Sequence, residues 1–452
     1  MINDFEKAKL NFQKGNNFFN KGFFNEAELY FETSLKFLPN RISTIVNLIL
    51  CKLKLKKTNE CAKLIEFIEK HSSFNCDGIY ARALYYGEIY KFDKSIELFE
   101  KLLKNKNNFD PNTLSVYYNC IAVSFIRLGN FEKSRINLKE SIKFNSKNYE
   151  ALFNLGTLDL RLKNFKSGWK NYEYRIEKNN LDKSKYPLRI EDIKNKNILI
   201  VSEQGFGDTI QFSALIPSLL KYTKNISFYP HKKLNKLFED NKEIKIVNNQ
   251  KGEWDFVINL MSLPYYLKLN LKNPDLKCII GKKLMYQNNK KEKLKLKNIG
   301  IAWSSSSEYQ YNDLKSIPLK EFQNIFDLKK NYNLNFFCMQ KDIEQHDLDA
   351  FKFNKDNLNY IGHLNFEDLS KKMKEFDLVI SNDTVFLHLS CALGIKTIAL
   401  LPEIPDWRWM DENGESSWYK NLKILRLSNN QSWSELIQVL HKHLCDLLKN
   451  KI

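Results

Sequence analysis

The sequence predicts an α-helical repeat solenoid followed by an α/β module of two parallel-sheet lobes. Three observations carry that prediction. Small residues recur at intervals of 34 through the first third of the chain. From about residue 196 onward, short apolar runs of strand length alternate with helical segments. Within the second of these regions, residues 377–394 (DLVISNDTVFLHLSCALG) change from strand pattern to helix pattern in three residues. The boundaries implied are 1–178 for the helical array, 179–195 for a linker, 196–290 for a first lobe and 298–452 for a second.

The repeats show in the spacing of small residues. Ala27, Cys61 and Ser95 succeed one another at 34 residues, and Ser134 and Gly168 do so again after an insertion of five near 104–112. Small side chains are needed where two helices cross closely. Four positions on stand the bulky Phe31, Ile65, Phe99, Leu138 and Tyr172; twelve positions earlier stand Gly15, Ile49, Ala83, Ala122 and Gly156. Pro39 stops the helix of the first unit. This pattern resembles the tetratricopeptide repeat, and five units exceed the roughly three that a stable stack requires. Such arrays present a concave face. Its function is either to bind a peptide, an acceptor or a partner, or to serve as a scaffold. The last unit closes with GWKNYEYR at 168–175, whose aromatics are expected to seal the array against the next domain.

The polar stretch 176–195 reads as a linker. Strand-length runs come next at 197–202, 226–229, 244–247, 256–260, 298–303, 335–339, 378–381 and 397–401, with a lysine-rich interruption at 287–297. Strands separated by helical segments imply parallel sheets with crossover helices, hence two Rossmann-like lobes. Ligands in such sheets bind beyond the carboxyl ends of strands, which directs attention to four loops.

The first loop is EQGFGDT at 203–209, where Gly205 and Gly207 allow a tight turn and Asp208 sits at a helix start. Gln211 lies one turn on. A structural N-cap aspartate would give the same pattern as a functional one. The second loop, 303–318, begins at Trp303, is rich in serine, and carries Lys315 ahead of a helix opened by Pro318. The third is Gln340-Lys341-Asp342 and the fourth Asn382-Asp383-Thr384. A strand turning sharply into a helix at the fourth leaves backbone N–H groups at the positive end of the helix dipole, a ready site for a diphosphate; an ordinary βα turn capped by Asp383 or Thr384 is the plainer alternative. Beyond it, Asp406, Trp407 and Trp409 lie in PEIPDWRWM at 402–410. The tryptophans are placed either to stack a base or sugar, or to cover a lobe interface.

Composition narrows the function classes. The net charge is +18, which raises the question of nucleic acid. The lysines are spread along the whole chain among asparagines and form no groove-like run, so a nucleic-acid partner is not expected. The eight cysteines include no Cys-x-x-Cys pair and no Cys/His cluster of zinc spacing. They read as small buried hydrophobes in a reducing compartment, and no metal or bound cofactor is expected. The amino-terminal segment lacks the apolar core of a signal peptide, and no apolar run approaches the ~20 residues of a membrane span. The expectation is a cytoplasmic protein that can also lie against the inner face of a membrane.

Taken together, EQGFGDTIQF, GIAWSSSSEYQYNDLKSIPL, FFCMQKD, DLVISNDTVFLHLSCALG and PDWRWM resemble, in order and spacing, the bacterial tetratricopeptide-repeat proteins with a heptosyltransferase-like carboxyl-terminal module. The likeness spans about residues 165–440. It implies a GT-B glycosyltransferase that takes sugar from a nucleotide-sugar with inversion and without a required metal, the nucleotide-sugar being a co-substrate. By position it implies Asp208 as catalytic carboxylate, Lys315 on donor phosphate, and Asp383, Thr384 and His388 around the diphosphate; Lys341 is a further candidate cation. The acceptor is a glycan, a lipid-linked glycan or a protein. Two positions depart from the motif: Val385 stands where the family has glycine, and Phe386 where small residues are usual. These departures favour an alternative, a non-catalytic repeat scaffold with a degenerate transferase lobe.

Overall fold

The computed structural model describes residues 3–271, 279–280, 296–305, 312–409 and 414–449. Cys278, Met410, residues 287–295 of the lysine-rich stretch and residues 306–311 of the serine-rich loop lie outside them. Contacts divide the chain into two compact units, Met1–Leu158 and Asp159–Ile452.

The first unit is built of helix pairs: α1 (Asp4–Asn20) with α2 (Phe24–Phe37), α3 (Ile42–Lys54) with α4 (Thr58–His71), α5 (Cys76–Glu88) with α6 (Phe92–Leu103), and α7 (Pro111–Arg127) with α8 (Phe131–Phe144). α9 (Tyr149–Arg161) starts in this unit. The crossing residues behave as their size requires. Ala27, Cys61, Ser95 and Ser134 are buried; a Cβ on Gly15 would stand 2.6 Å from the Phe31 ring, and Ser95 Oγ donates to the Ala83 carbonyl at 2.8 Å. Each turn inside a pair needs one left-handed residue. In the four pairs these are Gly22, Lys56, Tyr90 and Gly129, so they keep the repeat register although only two are glycine. Asn3 and Asp110 cap α1 and α7, the latter followed by Pro111 at the first helical position. Cys76, at the start of α5, is exposed, unlike the buried cysteines expected.

The second unit opens with the end of α9, then α10 (Phe165–Tyr172) and α11 (Arg175–Lys178). Its first sheet comprises β1 (Ile198–Val201), β2 (Ile226–Tyr229), β3 (Lys245–Ile246) and β4 (Phe256–Asn259), all parallel in the order β3-β2-β1-β4. α12 (Phe206–Ser213) follows β1, α13 (Asn235–Phe238) follows β2 and α14 (Leu263–Tyr266) follows β4. The second sheet comprises β5 (Asn298–Ala302), β6 (Asn335–Cys338), β7 (Leu358–Tyr360), β8 (Leu378–Ser381), β9 (Thr397–Leu401) and β10 (Leu422–Arg426), all parallel in the order β10-β9-β8-β5-β6-β7. Between its strands run α15 (Asn312–Lys315), α16 (Gln323–Asp327), α17 (Leu348–Phe353), α18 (Phe366–Met373) and α19 (Val385–Ala392); α20 (Trp433–Lys449) comes last.

The six-stranded order is the doubly wound one, with its switch point between β5 and β8. In sheets of this order connections leave in opposite directions at the switch point, which is where ligands bind, beyond the strands' carboxyl ends. Lys315, on the connection after β5, and Asp383, after β8, both lie at that point. β8 and β9 are buried along their whole length, as expected of central parallel strands. The core of this lobe joins Ile299, Ile301, Phe336 and Ile380 of the sheet to Leu436, Leu440, Leu444 and Leu448, one apolar stripe of α20. No helix among the described residues is long and apolar enough to cross a membrane.

Candidate active site

The site forms where the two lobes of the second unit meet. β1 ends at Val201, and Gly205 then opens α12 in extended backbone. Asp208, the third residue of α12, reaches back so that its Oδ2 accepts from the Gly205 N–H at 2.8 Å. That is half of a capping box; glycine has no side chain to complete it. On the other lobe, β8 ends at Ser381 and α19 begins at Val385 with Thr384 at its N-cap. The Thr384 hydroxyl makes no cap bond; it pairs with Ser381 Oγ at 3.0 Å. The first turn of α19 is thus not closed by the side chain of its N-cap residue.

α12 and α19 pack against each other, and Gly207 is the reason they can. A Cβ there would stand 2.7 Å from His388 Cδ2. His388 is 5% exposed, stacks on Trp409 at 5.6 Å and 24°, and pairs through Nδ1 with the Tyr419 hydroxyl at 3.0 Å. Burial, and then the neighbouring Arg408 guanidinium, hold its imidazole down to about 3. The ring is therefore neutral at pH 7, and the 3.8 Å approach of its Nε2 to Asp383 Oδ1 is not an ion pair there. Burial raises the Asp383 carboxyl, opposed by the Lys315 ammonium. Lys315 Nζ donates to the Asp383 carbonyl at 3.1 Å, and Asn382 Nδ2 returns a bond to the Lys315 carbonyl at 3.1 Å. These reciprocal bonds fix the lysine beside the start of α19. Phe386 is 8% exposed, its ring folded into the interior; Val385 is only part buried.

One residue that sequence reasoning passed over joins the lobes. Arg408 Nη2 is bonded to Asp208 Oδ1, and its Nη1 donates to Asp406 Oδ1 at 2.7 Å. Burial would lower the guanidinium; Asp406 and Asp208 outweigh it and hold it well above its ordinary range. Burial likewise pushes the Asp406 carboxyl up, and Arg408 brings it below the usual carboxylate value. The available signal was Asp-Trp-Arg-Trp, two charged residues alternating with two large aromatic ones.

Both tryptophans of this segment cover an interface. Trp407 is 7% exposed and meets Trp169 and Tyr172 edge to face at 5.5 Å each; Trp409 is 1% exposed beneath His388. Neither offers a face to a base or sugar, a correction to one of the two placements expected. Trp303, expected to line a cleft, is fully buried, with its indole N–H bonded to Asp347 Oδ2 at 2.7 Å. Its apolar bulk belongs to the lobe core, and Asp347 satisfies its one donor. Lys341 is exposed in the loop after β6, where its carbonyl accepts from the Tyr360 hydroxyl at 2.9 Å. Gln211 is 2% exposed, and neither its amide oxygen nor its nitrogen has a partner; Asn382 Oδ1 and Arg408 Nε are also buried and unpaired. Unpaired buried polar atoms are rare in proteins unless water or a ligand completes them, and these three residues come from the two lobes that meet here.

The loop that carries Asp208 is set from behind. Arg175, fully buried, clamps Glu203 through Nε at 3.1 Å and Nη2 at 2.6 Å, Glu173 at 2.6 Å and Ser262 Oγ at 2.8 Å. Burial works against its charge, and Glu173 and Glu203 more than restore it. Sequence reasoning gave neither Arg175 nor Glu203 a role. A cation closing an aromatic segment and an anion opening a glycine-rich loop were the signals.

Residues 209–443, slightly more than half of the chain, match glycosyltransferase family 9 (heptosyltransferase). The chain belongs to this family. It is accordingly a glycosyltransferase, its repeats preceding a GT-B-type module. The matched span begins one residue after Asp208 and includes Lys315, Asp383, Thr384, His388 and Arg408. Solved structures similar to the chain include a thermophilic tetratricopeptide-repeat protein of Thermus thermophilus, at 15% identity over 39% of this chain and 93% of that one with a TM-score of 0.34. PilW, a type IV pilus biogenesis factor, is similar at 12% identity over 48% and 86% with a TM-score of 0.35. No curated protein matches the chain.

Proposed function

We propose that this family-9 glycosyltransferase moves a sugar from a nucleoside-diphosphate donor to an acceptor hydroxyl, with inversion and without requiring a metal. The observation that supports the reading is that the start of α12, with Asp208, packs on His388 of α19, and that Arg408 ties Asp208 to the lobe in which Lys315 is bonded to Asp383 beside Thr384. The acceptor oxygen attacks the anomeric carbon as the bond from that carbon to the β-phosphate oxygen breaks. The electron pair leaves with the nucleoside diphosphate, and the hydroxyl proton passes to the Asp208 carboxylate. A hydroxyl is too weakly acidic to attack unaided, so a positioned base contributes. Lys315 and the start of α19 supply positive charge where the leaving group gains negative charge. The acceptor is a glycan, a lipid-linked glycan or a protein, and the helical array selects it or a protein partner.

Asp208→Asn should abolish turnover while donor binding persists; unchanged turnover would remove Asp208 from this role. A second reading, a repeat scaffold with a degenerate lobe, is favoured by Val385 in the place of glycine. A thermal-shift panel of nucleotide-sugars separates the two. A donor at a hundred times its Kd stabilises by about 2.7 kcal/mol, whereas stabilisation by no donor would leave only the scaffold.

A further inference from the structure

Arg408 holds an unusual position for a structural ion pair. It is 9% exposed, yet its Nε is buried without a partner. Its two terminal nitrogens serve two different carboxylates, Asp406 two residues away and Asp208 on the opposite lobe. Asp383 is a third carboxylate within electrostatic reach. The guanidinium plane is bounded by Trp407 at 4.7 Å and Phe212 at 5.7 Å, flat apolar faces that direct it without bonding it. While Arg408 holds Oδ1 and the Gly205 N–H holds Oδ2, both Asp208 oxygens accept strong donors. In this state the carboxylate is poorly placed to accept a proton from an acceptor hydroxyl. A diphosphate at the start of α19 would offer the guanidinium more charge and a bidentate geometry that it matches well.

We propose that Arg408 is a positioning residue, a counter-ion shared between Asp208 and the donor diphosphate, which leaves Asp208 when the donor binds and so frees the base only once a leaving group is in place. Asp406 remains its anchor throughout. The inference rests on the proposed transfer from a nucleoside-diphosphate donor. It adds an order of events: donor first, then activation of the acceptor.

The test is a double-mutant cycle on affinity in the full chain. UDP, GDP, ADP, CDP and dTDP are each titrated calorimetrically, and the tightest is carried forward. Asp208→Asn removes the competitor for Arg408 and should tighten that diphosphate by about tenfold; Arg408→Gln should weaken it by about tenfold or more. In the double variant the gain from Asp208→Asn should vanish. Arg408→Lys, which keeps the charge but not the fork, should fall between and serves if Arg408→Gln does not fold. If Asp208→Asn leaves affinity unchanged or lowers it, or if its gain survives without Arg408, the shared counter-ion is refuted while the donor site stands. If the wild type binds none of the five, the donor site falls and this inference with it.

Discussion

Replacing Gly207 by alanine tests the contact on which the site depends. The new Cβ would lie 2.7 Å from His388 Cδ2, 3.4 Å from Nε2 and 3.5 Å from Cγ. Carbon pairs settle at about 3.5–4.0 Å, so something must yield by about 1 Å. The imidazole is poorly placed to do so, being stacked on Trp409 and tied to Tyr419. The backbone of Gly207 does not itself require glycine, because its φ lies outside the left-handed range. Alanine in a helix with room would stabilise by up to about 1 kcal/mol. Here the clash decides the sign: overpacking costs about 1–3 kcal/mol, and the displacement passes to α12 and hence to Asp208, the next residue. The expected result is a lower urea midpoint and a fall in kcat of up to about 100-fold, since a shift of 1 Å in a reacting group can cost that much. Gly207→Ala with His388→Ala should restore part of the lost stability by making room. A Gly207→Ala protein as stable and as active as wild type would mean that the two helices do not meet in this way.

Buried ionisable groups set two further outcomes. His388 is held near pKa 3 in the folded state against 6.5 unfolded, so above pH 6.5 it affects stability little. As pH falls below that, only the unfolded chain gains the proton, and about 2 kcal/mol is lost between pH 7 and pH 5; His388→Gln should lose that much less over the same interval in urea unfolding, and parallel curves would refute the neutral buried imidazole. Arg175→Met strands Glu203 and Glu173 in the interior and should cost about 3–5 kcal/mol, with partial recovery in Arg175→Met/Glu203→Gln; a loss below about 1 kcal/mol would show that the clamp does not hold the loop.

Much of the fold was legible because its determinants are local. The 34-residue spacing of Ala27, Cys61 and Ser95 reflects a crossing geometry repeated at each hairpin, and period alone reveals it. Central strands such as β8 and β9 are apolar throughout, so they stand out. β7 did not: it is three residues long, with only Leu358 buried. β10 alternates buried and exposed residues before a polar stretch, and it was missed as well. At the site, the strand-to-helix turns carrying Asp208 and Asp383 announce themselves by glycine and by polar breaks. What joins them does not. Arg408 is 200 residues from Asp208, and no local pattern shows which carboxylate a distant guanidinium meets. The misplacement of Trp303 has a similar origin. An aromatic beside a functional loop reads alike whether it faces a ligand or, as here, meets Asp347 in the interior.

The stripe of leucines on α20 has a consequence for synthesis. The sheet it covers is laid down from β5 onward, while its covering helix is translated long after. Until residues 436–448 leave the ribosome, the side chains of Ile299, Phe336 and Ile380 lack one of their walls. The nascent chain must therefore carry an open apolar face for seconds at ordinary elongation rates of about 5–20 residues per second. The hairpins ahead of it, built on neighbouring segments, have no such wait. Chaperone dependence should accordingly concentrate in the later half of translation, and a stop codon just before α20 should yield aggregate rather than a shortened enzyme.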